Sequence, residues 1–209
     1  MSRGYNVFFT SDTHFNHLNI LKLGKGRPFK TIEEHNQTLI DNWNSVVAPR
    51  DLVFHLGDVA FTYDPNKLSE ILEKLNGSIH IIQGNHDRTK ILAHSLNKNL
   101  IQSIKTYHEY KYESDDGKSY TFTMMHWPIL EPNHIFRNKD KEDISVIGLY
   151  GHVHDINDYE WIYKKLGFPC VHVGVDTSSK FPNTNKYTPI NAEDVISYCK
   201  NTFITEEGE

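Results

Sequence analysis

The sequence predicts an α/β fold of two mixed sheets packed face to face, with helices outside. Three observations predict it. The first half, up to Gln83, alternates strand and helix signals, and such alternation implies a parallel sheet covered by helices. The second half is dominated by short β-rich runs and carries a hairpin signal. No internal repeat, low-complexity segment or Gly/Ser-rich linker divides the 209 residues, so one domain over residues 1–209 is expected.

Each element follows from local chemistry. Residues 5–10 read as the first strand. Thr31 and Glu34 form a capping-box pattern, and Ile32, Leu39, Ile40, Trp43, Val46 and Val47 then fall on one helical face until Pro49 stops it. The apolar run 51–56 is a second strand. Asp64 caps a second helix with Pro65 in its first position; Leu68, Ile71, Leu72 and Leu75 line it, and Gly77 ends it. Residues 78–83 form a third strand. Residues 101–113 and 120–125 are β-rich, with the hairpin signal Asp115-Asp116-Gly117-Lys118 between them. Residues 144–150 and 170–175 are two further strands. Asn191 caps a last helix with Val195, Ile196 and Cys199 on one face, and residues 206–209 read as a frayed tail.

Composition narrows the class. Lys plus Arg number 22 against 27 Asp plus Glu, a formal charge of −5, which does not suit a nucleic-acid coat or a membrane-surface protein. Two cysteines, Cys170 and Cys199, make no disulfide framework, so a reducing cytoplasm is expected. The apolar stretch 7–9 is too short for a signal peptide, and no run approaches a membrane span. Histidine is the unusual component: 13 are present, where an even share of the twenty residue types would give about 10.

The histidines gather at strand ends. Asp12 and His14 follow the first strand, and Gly57-Asp58 the second. Gly84-Asn85-His86-Asp87 follows the third. His126 and Gly151-His152-Val153-His154 follow two strands of the second half. In an α/β sheet, ligands bind outside the carboxyl ends of strands. Asp12-x-His14 and His152-x-His154 have the spacing that puts both side chains on one side of an extended backbone. Asp12, His14, Asp58, Asn85, His126, His152 and His154 are therefore candidate metal ligands. Seven exceed one tetrahedral zinc and suit two ions sharing a carboxylate; imidazole and carboxylate donors suit Mn, Fe, Zn or Ni. Two divalent ions bring +4 against −2 from Asp12 and Asp58 and −1 from a bridging hydroxide. The site stays positive, and a phosphate ester is the fitting anion.

These residues resemble the calcineurin-like metallophosphoesterases. The resemblance rests on the ordered set Asp12-x-His14, Gly57-Asp58, Gly84-Asn85-His86-Asp87, His126 and Gly151-His152-x-His154, over positions 12–154. It implies a four-layer α/β/β/α sandwich with a two-metal centre. Asp12, His14, Asp58 and His154 would hold one ion, Asp58 would bridge, and Asn85, His126 and His152 would complete the second. It implies that His86 faces the phosphoryl group and protonates the leaving oxygen or stabilises the transition state. The sequence departs from the protein-phosphatase branch of that family. That branch has an Asp three residues after the bridging Asp, followed by Arg-Gly; Phe61, Thr62 and Tyr63 stand here instead. The departure argues against a Ser/Thr protein phosphatase and removes the usual Asp partner of His86. The opening Thr13-His14-Phe15-Asn16-His17 with Asn19-Ile20 looks more like small bacterial and phage phosphoesterases.

The expected function is hydrolysis of a phosphate ester by a dinuclear centre and metal-bound hydroxide, as a phosphodiesterase or phosphatase on a small nucleotide-like substrate. The expected cofactors are two divalent ions, Mn first, with Fe, Zn or Ni as alternatives. A metal-dependent nuclease and a non-catalytic metal-binding scaffold of the same fold are the alternative readings; nucleic acid is the less favoured partner, and no membrane is expected. Two residues are offered to the substrate. Arg27 lies in the basic run Lys22, Lys25, Arg27 and Lys30, where a guanidinium could fork a phosphate; His17 is placed on the leaving-group side. His35, His55, His80, His94, His108 and His172 are read as packing or exposed residues.

Overall fold

Apolar runs become strands wherever alternate side chains can be buried on both faces, and the first sheet is built this way. In chain order, β1 (Val7–Thr10) leads to α1 (Ile32–Val46), β2 (Leu52–His55), α2 (Pro65–Leu72), β3 (Ser78–Ile82), α3 (Thr89–Asn97) and β4 (Ser103–Lys105). Then come β5 (Tyr107–Glu113), β6 (Ser119–Met125), β7 (Val146–Tyr150), α4 (Glu160–Leu166), β8 (Cys170–His172), β9 (Ile190–Asn191) and α5 (Ala192–Phe203). The computed structural model describes residues 4–23, 26–138, 144–155 and 159–204; Lys25 of the basic run and the tail 206–209 lie outside them.

The first sheet has the order β4-β3-β2-β1-β9, with β1 to β4 parallel and β9 antiparallel to β1. The second has the order β5-β6-β7-β8, with β5 antiparallel to β6 and the other three parallel. Both sheets are mixed, as expected. Side-chain alternation sorts the layers. Phe9, Phe54 and Ile82 of the first sheet pack with Phe122, Leu149 and Val171 of the second. Phe8, Val53 and Ile81 point the other way, onto Leu39, Trp43, Leu68, Ile71 and Leu92 of α1, α2 and α3. Tyr163 of α4 covers Tyr150 and Cys170 on the outer side of the second sheet.

The predicted caps are present. Thr31 Oγ1 accepts the Glu34 N–H at 3.1 Å, while the Glu34 carboxylate takes the Lys30 N–H at 2.7 Å, one residue before the box pattern requires. Asp64 accepts the Asn66 N–H and Asn191 the Glu193 N–H, both at 2.9 Å. The run 101–113 differs from expectation. It breaks at Thr106, so that β4 closes the first sheet beside β3 and β5 opens the second beside β6. A β-rich composition does not mark the point where a chain leaves one sheet for another. The hairpin at Asp115 to Lys118 joins β5 to β6. Among the described residues, no helix is long and apolar enough to cross a membrane.

Candidate metal centre

Strand pairing continues past the strand ends and draws the ligand loops together. Asp12 N–H bonds to the Gly57 carbonyl and His14 N–H to the Asp58 carbonyl, each at 3.0 Å, so the loops after β1 and β2 run side by side. Gly151 N–H bonds to the His126 carbonyl at 2.8 Å and ties the loops after β6 and β7. Val175 N–H bonds to the Ser11 carbonyl at 3.1 Å and stitches the loop after β8, in one sheet, to that after β1, in the other. The carboxyl ends of both sheets therefore meet along one edge.

Two clusters result: Asp12, His14 and His154, and Asp58, His126 and His152, each with one ligand atom per residue and all of these atoms within 4.8 Å of one another. The Asp58 carboxylate lies between them. Its Oδ2 is 3.6 Å from His14 Nε2 and 3.4 Å from His126 Nε2. Asn85 Oδ1 joins the second cluster at 2.9 Å from His126 Nε2 and 2.8 Å from His152 Nδ1. All seven sequence-predicted ligands are thus brought to one place.

The donors are arranged to receive cations. His14 Nε2 is buried and has no hydrogen-bond partner among the described residues, an arrangement that costs free energy unless something occupies it. In His126 and His154 the Nδ1 atom is engaged, by the Leu56 carbonyl at 2.6 Å and by Asp176 at 2.8 Å, leaving Nε2 for a ligand. Burial pushes His14 down to about 3, so it stays neutral and able to coordinate. Burial would raise the Asp12 carboxyl, but His172, His154 and His126 outweigh it and hold the group well below the usual carboxylate range. Burial likewise works against ionisation of Asp58, and His126 and His14 again reverse the balance. Among the described residues the groups present fit two divalent cations.

The backbone is shaped for this use. Asp12, His14, Asp58, His152 and His154 all have positive φ, between 49° and 74°. L-residues rarely adopt this region, and it costs about 1–3 kcal/mol each where it persists. Gly84 is required for a different reason: a Cβ there would strike Asp58 Oδ1 and lie 2.5 Å from the Asp58 nitrogen. Gly84→Ala is expected to destabilise the protein by about 3 kcal/mol through overpacking against backbone, read as a lowered midpoint in urea unfolding.

His86 stands at the exposed side of the clusters. Its N–H donates to Asp58 Oδ1 at 2.8 Å, so its backbone is fastened to the shared carboxylate. Its ring meets His14 and Phe61 edge-on, with centroids 5.4 and 6.0 Å away. Phe61 stands where the protein-phosphatase branch has its Asp, so packing against an aromatic ring takes the place of that partner. Asp87 turns away from His86. Its carboxylate accepts the N–H groups of Asp58, Val59 and Gly84 at 2.8–2.9 Å and clamps two ligand loops together. A cleft of about 220 Å³ opens over the clusters, with Asp58, Asn85, His86, His152 and His154 among its lining residues and Ile20 and Leu23 forming an apolar wall.

The residues offered to the substrate sit differently. His17 is buried, with Nδ1 3.1 Å from His14 Nδ1 and its ring stacked on Phe61 at 4.4 Å. It supports a candidate ligand. Arg27 lines the cleft, but its donors are committed to Asp176, to the carbonyl oxygens of Asp12 and Thr13, and to His35. The expectation of a free phosphate-binding fork at Arg27 is therefore revised, because burial has forced each donor to find a protein partner. Sequence reasoning missed three residues at the site. Asp176 bonds His154. His172, buried, places Nε2 3.6 Å from Asp12 Oδ2. Ser11 donates to Asp12 Oδ2 at 2.6 Å. Gly174-Val175-Asp176 places an acid two residues after a Gly at the end of an apolar run, a looser form of the Gly57-Asp58 signal that could have exposed the first of them.

The family model of the calcineurin-like phosphoesterase superfamily domain matches residues 6–168. An uncharacterized protein of Methanocaldococcus jannaschii, MJ1445, is 51% identical over 83 residues, which are 39% of this chain and 47% of that protein. The Gene 66 protein of Mycobacterium phage D29 is 28% identical over 183 residues, 82% of this chain and 88% of the phage protein. The Gene 66 protein of Mycobacterium phage L5 is 29% identical over 104 residues, and the match again spans 47% of the relative. The chain thus spans about half the length of two of these relatives. Among solved structures, AQ665 of Aquifex aeolicus, a protein of unknown function, superposes with a TM-score of 0.64 at 26% identity over 92% of this chain and 98% of the other.

Proposed function

The chain belongs to the calcineurin-like phosphoesterase superfamily, and on that premise we propose that it hydrolyses a phosphate ester with two divalent cations, manganese first, held by Asp12, His14, Asp58, Asn85, His126, His152 and His154. The observation that carries this reading is the pair of three-residue clusters facing each other across Asp58. Bound divalent cations supply Lewis-acid polarisation of phosphoryl oxygens and lower the pKa of water. The chain's own residues do the rest. Asp58, fastened by the His86 N–H, keeps the two clusters at a fixed separation. Asn85 adds a neutral oxygen, so the ligand set brings only the two negative charges of Asp12 and Asp58 and leaves the site attractive to an anion. The exposed ring of His86 lies where it can hand a proton to the leaving oxygen.

The cleft holds about 220 Å³, and its apolar wall of Ile20 and Leu23 favours a small ester with a nucleotide-like leaving portion over a long polymer. The test is a screen of the Mn²⁺-loaded chain against an aryl monoester, an aryl diester, cyclic and linear nucleotides, and DNA. Turnover is expected on small esters, and faster than on DNA. A chain that binds two ions and turns over none of these would sink the catalytic reading and leave a metal-binding scaffold. DNA as the best substrate would make it a nuclease.

A further inference from the structure

One buried ion pair lies outside both clusters yet reaches into the first. Arg27 grips Asp176 with a two-point fork, Nε to Oδ1 and Nη2 to Oδ2, both at 2.9 Å, with side chains 3% and 8% exposed. Asp176 Oδ2 is also 2.8 Å from His154 Nδ1. The other Arg27 contacts are the Asp12 carbonyl at 2.6 Å, the Thr13 carbonyl at 2.9 Å and His35 Nε2 at 2.8 Å. The pair therefore touches the first cluster at Asp12 through its backbone and at His154 through its ring.

We propose that Asp176, braced by Arg27, is a positioning residue that fixes the His154 ring with its proton on Nδ1 and Nε2 turned toward the first ion. A neutral imidazole has two tautomers, and only the nitrogen without a proton can ligate a metal. A carboxylate held by a guanidinium can only accept, so it requires the proton on Nδ1. The second cluster is set independently, because His126 takes its orientation from the Leu56 carbonyl. Control by Asp176 is thus confined to one of two adjacent ions. The inference rests on the reading that the clusters hold divalent cations.

The experiment isolates each cluster and measures Mn²⁺ binding by calorimetry. His126→Ala leaves the first cluster, and His14→Ala leaves the second. Asp176→Leu is added to each. Asp176 Oδ2 alone accepts from both Arg27 Nη2 and His154 Nδ1, so an amide oxygen could keep the contact, whereas a leucine of similar size offers neither partner an acceptor. Mn²⁺ affinity is expected to fall about 10–100-fold in the His126→Ala background and to stay unchanged in the His14→Ala background. Should Asp176→Leu leave a lone buried cation that prevents folding, the double change Arg27→Met with Asp176→Leu removes both charges and is expected to give the same one-sided loss. Equal losses in both backgrounds would reduce Asp176 to a structural brace and overturn the proposal, as would no loss in either. A wild-type chain that binds no Mn²⁺ would overturn the metal-centre reading and this inference with it.

Discussion

Asp58→Asn is expected to lower kcat/KM for phosphate-ester hydrolysis by about a thousandfold or more. Asp58 is the side chain that faces both clusters, at 3.6 Å from His14 Nε2 and 3.4 Å from His126 Nε2. The amide keeps the shape but loses the charge that two cations would share. The stabilisation of transition-state charge by metal ions amounts to several kcal/mol, and each 1.36 kcal/mol is tenfold in rate. Metal content should fall with it, from about two ions per chain toward one, because the bridging charge is what offsets repulsion between neighbouring cations. Elemental analysis of the purified variant beside its kinetics checks both. Retention of two ions with activity within tenfold of wild type would remove Asp58 from the bridging position.

His86→Gln is expected to act on rate alone. The contact between this residue and the centre is a backbone N–H to Asp58 Oδ1, which the substitution preserves, so metal content should not change. The imidazole itself, edge-on to His14 and Phe61, is the part to which the proposed mechanism assigns proton transfer. Loss of a general acid typically costs about 10²–10⁴-fold in kcat. The loss should shrink as the leaving group becomes more acidic, since a good leaving group needs no proton. A series of aryl esters of graded leaving-group pKa measures this directly. A loss that is uniform across the series would assign His86 to charge stabilisation and not to proton transfer.

The strand ends were the most legible part of the molecule. Asp12, Asp58, Asn85, His126 and His152 each follow an apolar run, and the rule that ligands gather at carboxyl ends needs no tertiary knowledge beyond the run itself. The helices with side-chain caps at Thr31, Asp64 and Asn191 were legible for the same local reason. What was hidden depended on distant neighbours or lacked a start signal. α3 and α4 have Arg88 and Tyr159 at their N-caps, which make no side-chain capping bond, so the sequence carries no start signal for either helix. The two residues of β9 are a strand only because β1 lies beside them. His172 resembles any strand residue until the loop after β1 is placed against it. Arg27 was legible as important but not in its role, because a sequence does not show that a guanidinium is already surrounded by acceptors.

The left-handed backbone at Asp12, His14, Asp58, His152 and His154 sets two selective pressures against each other. Glycine at any of these positions would relax the chain and remove a donor in the same step. Selection for folding alone would therefore drift toward a sturdier protein with an empty centre. Under the proposed metal-centre reading, each of the five positions trades a more relaxed backbone for a donor, so glycine substitutions there are expected to cost metal affinity more than stability.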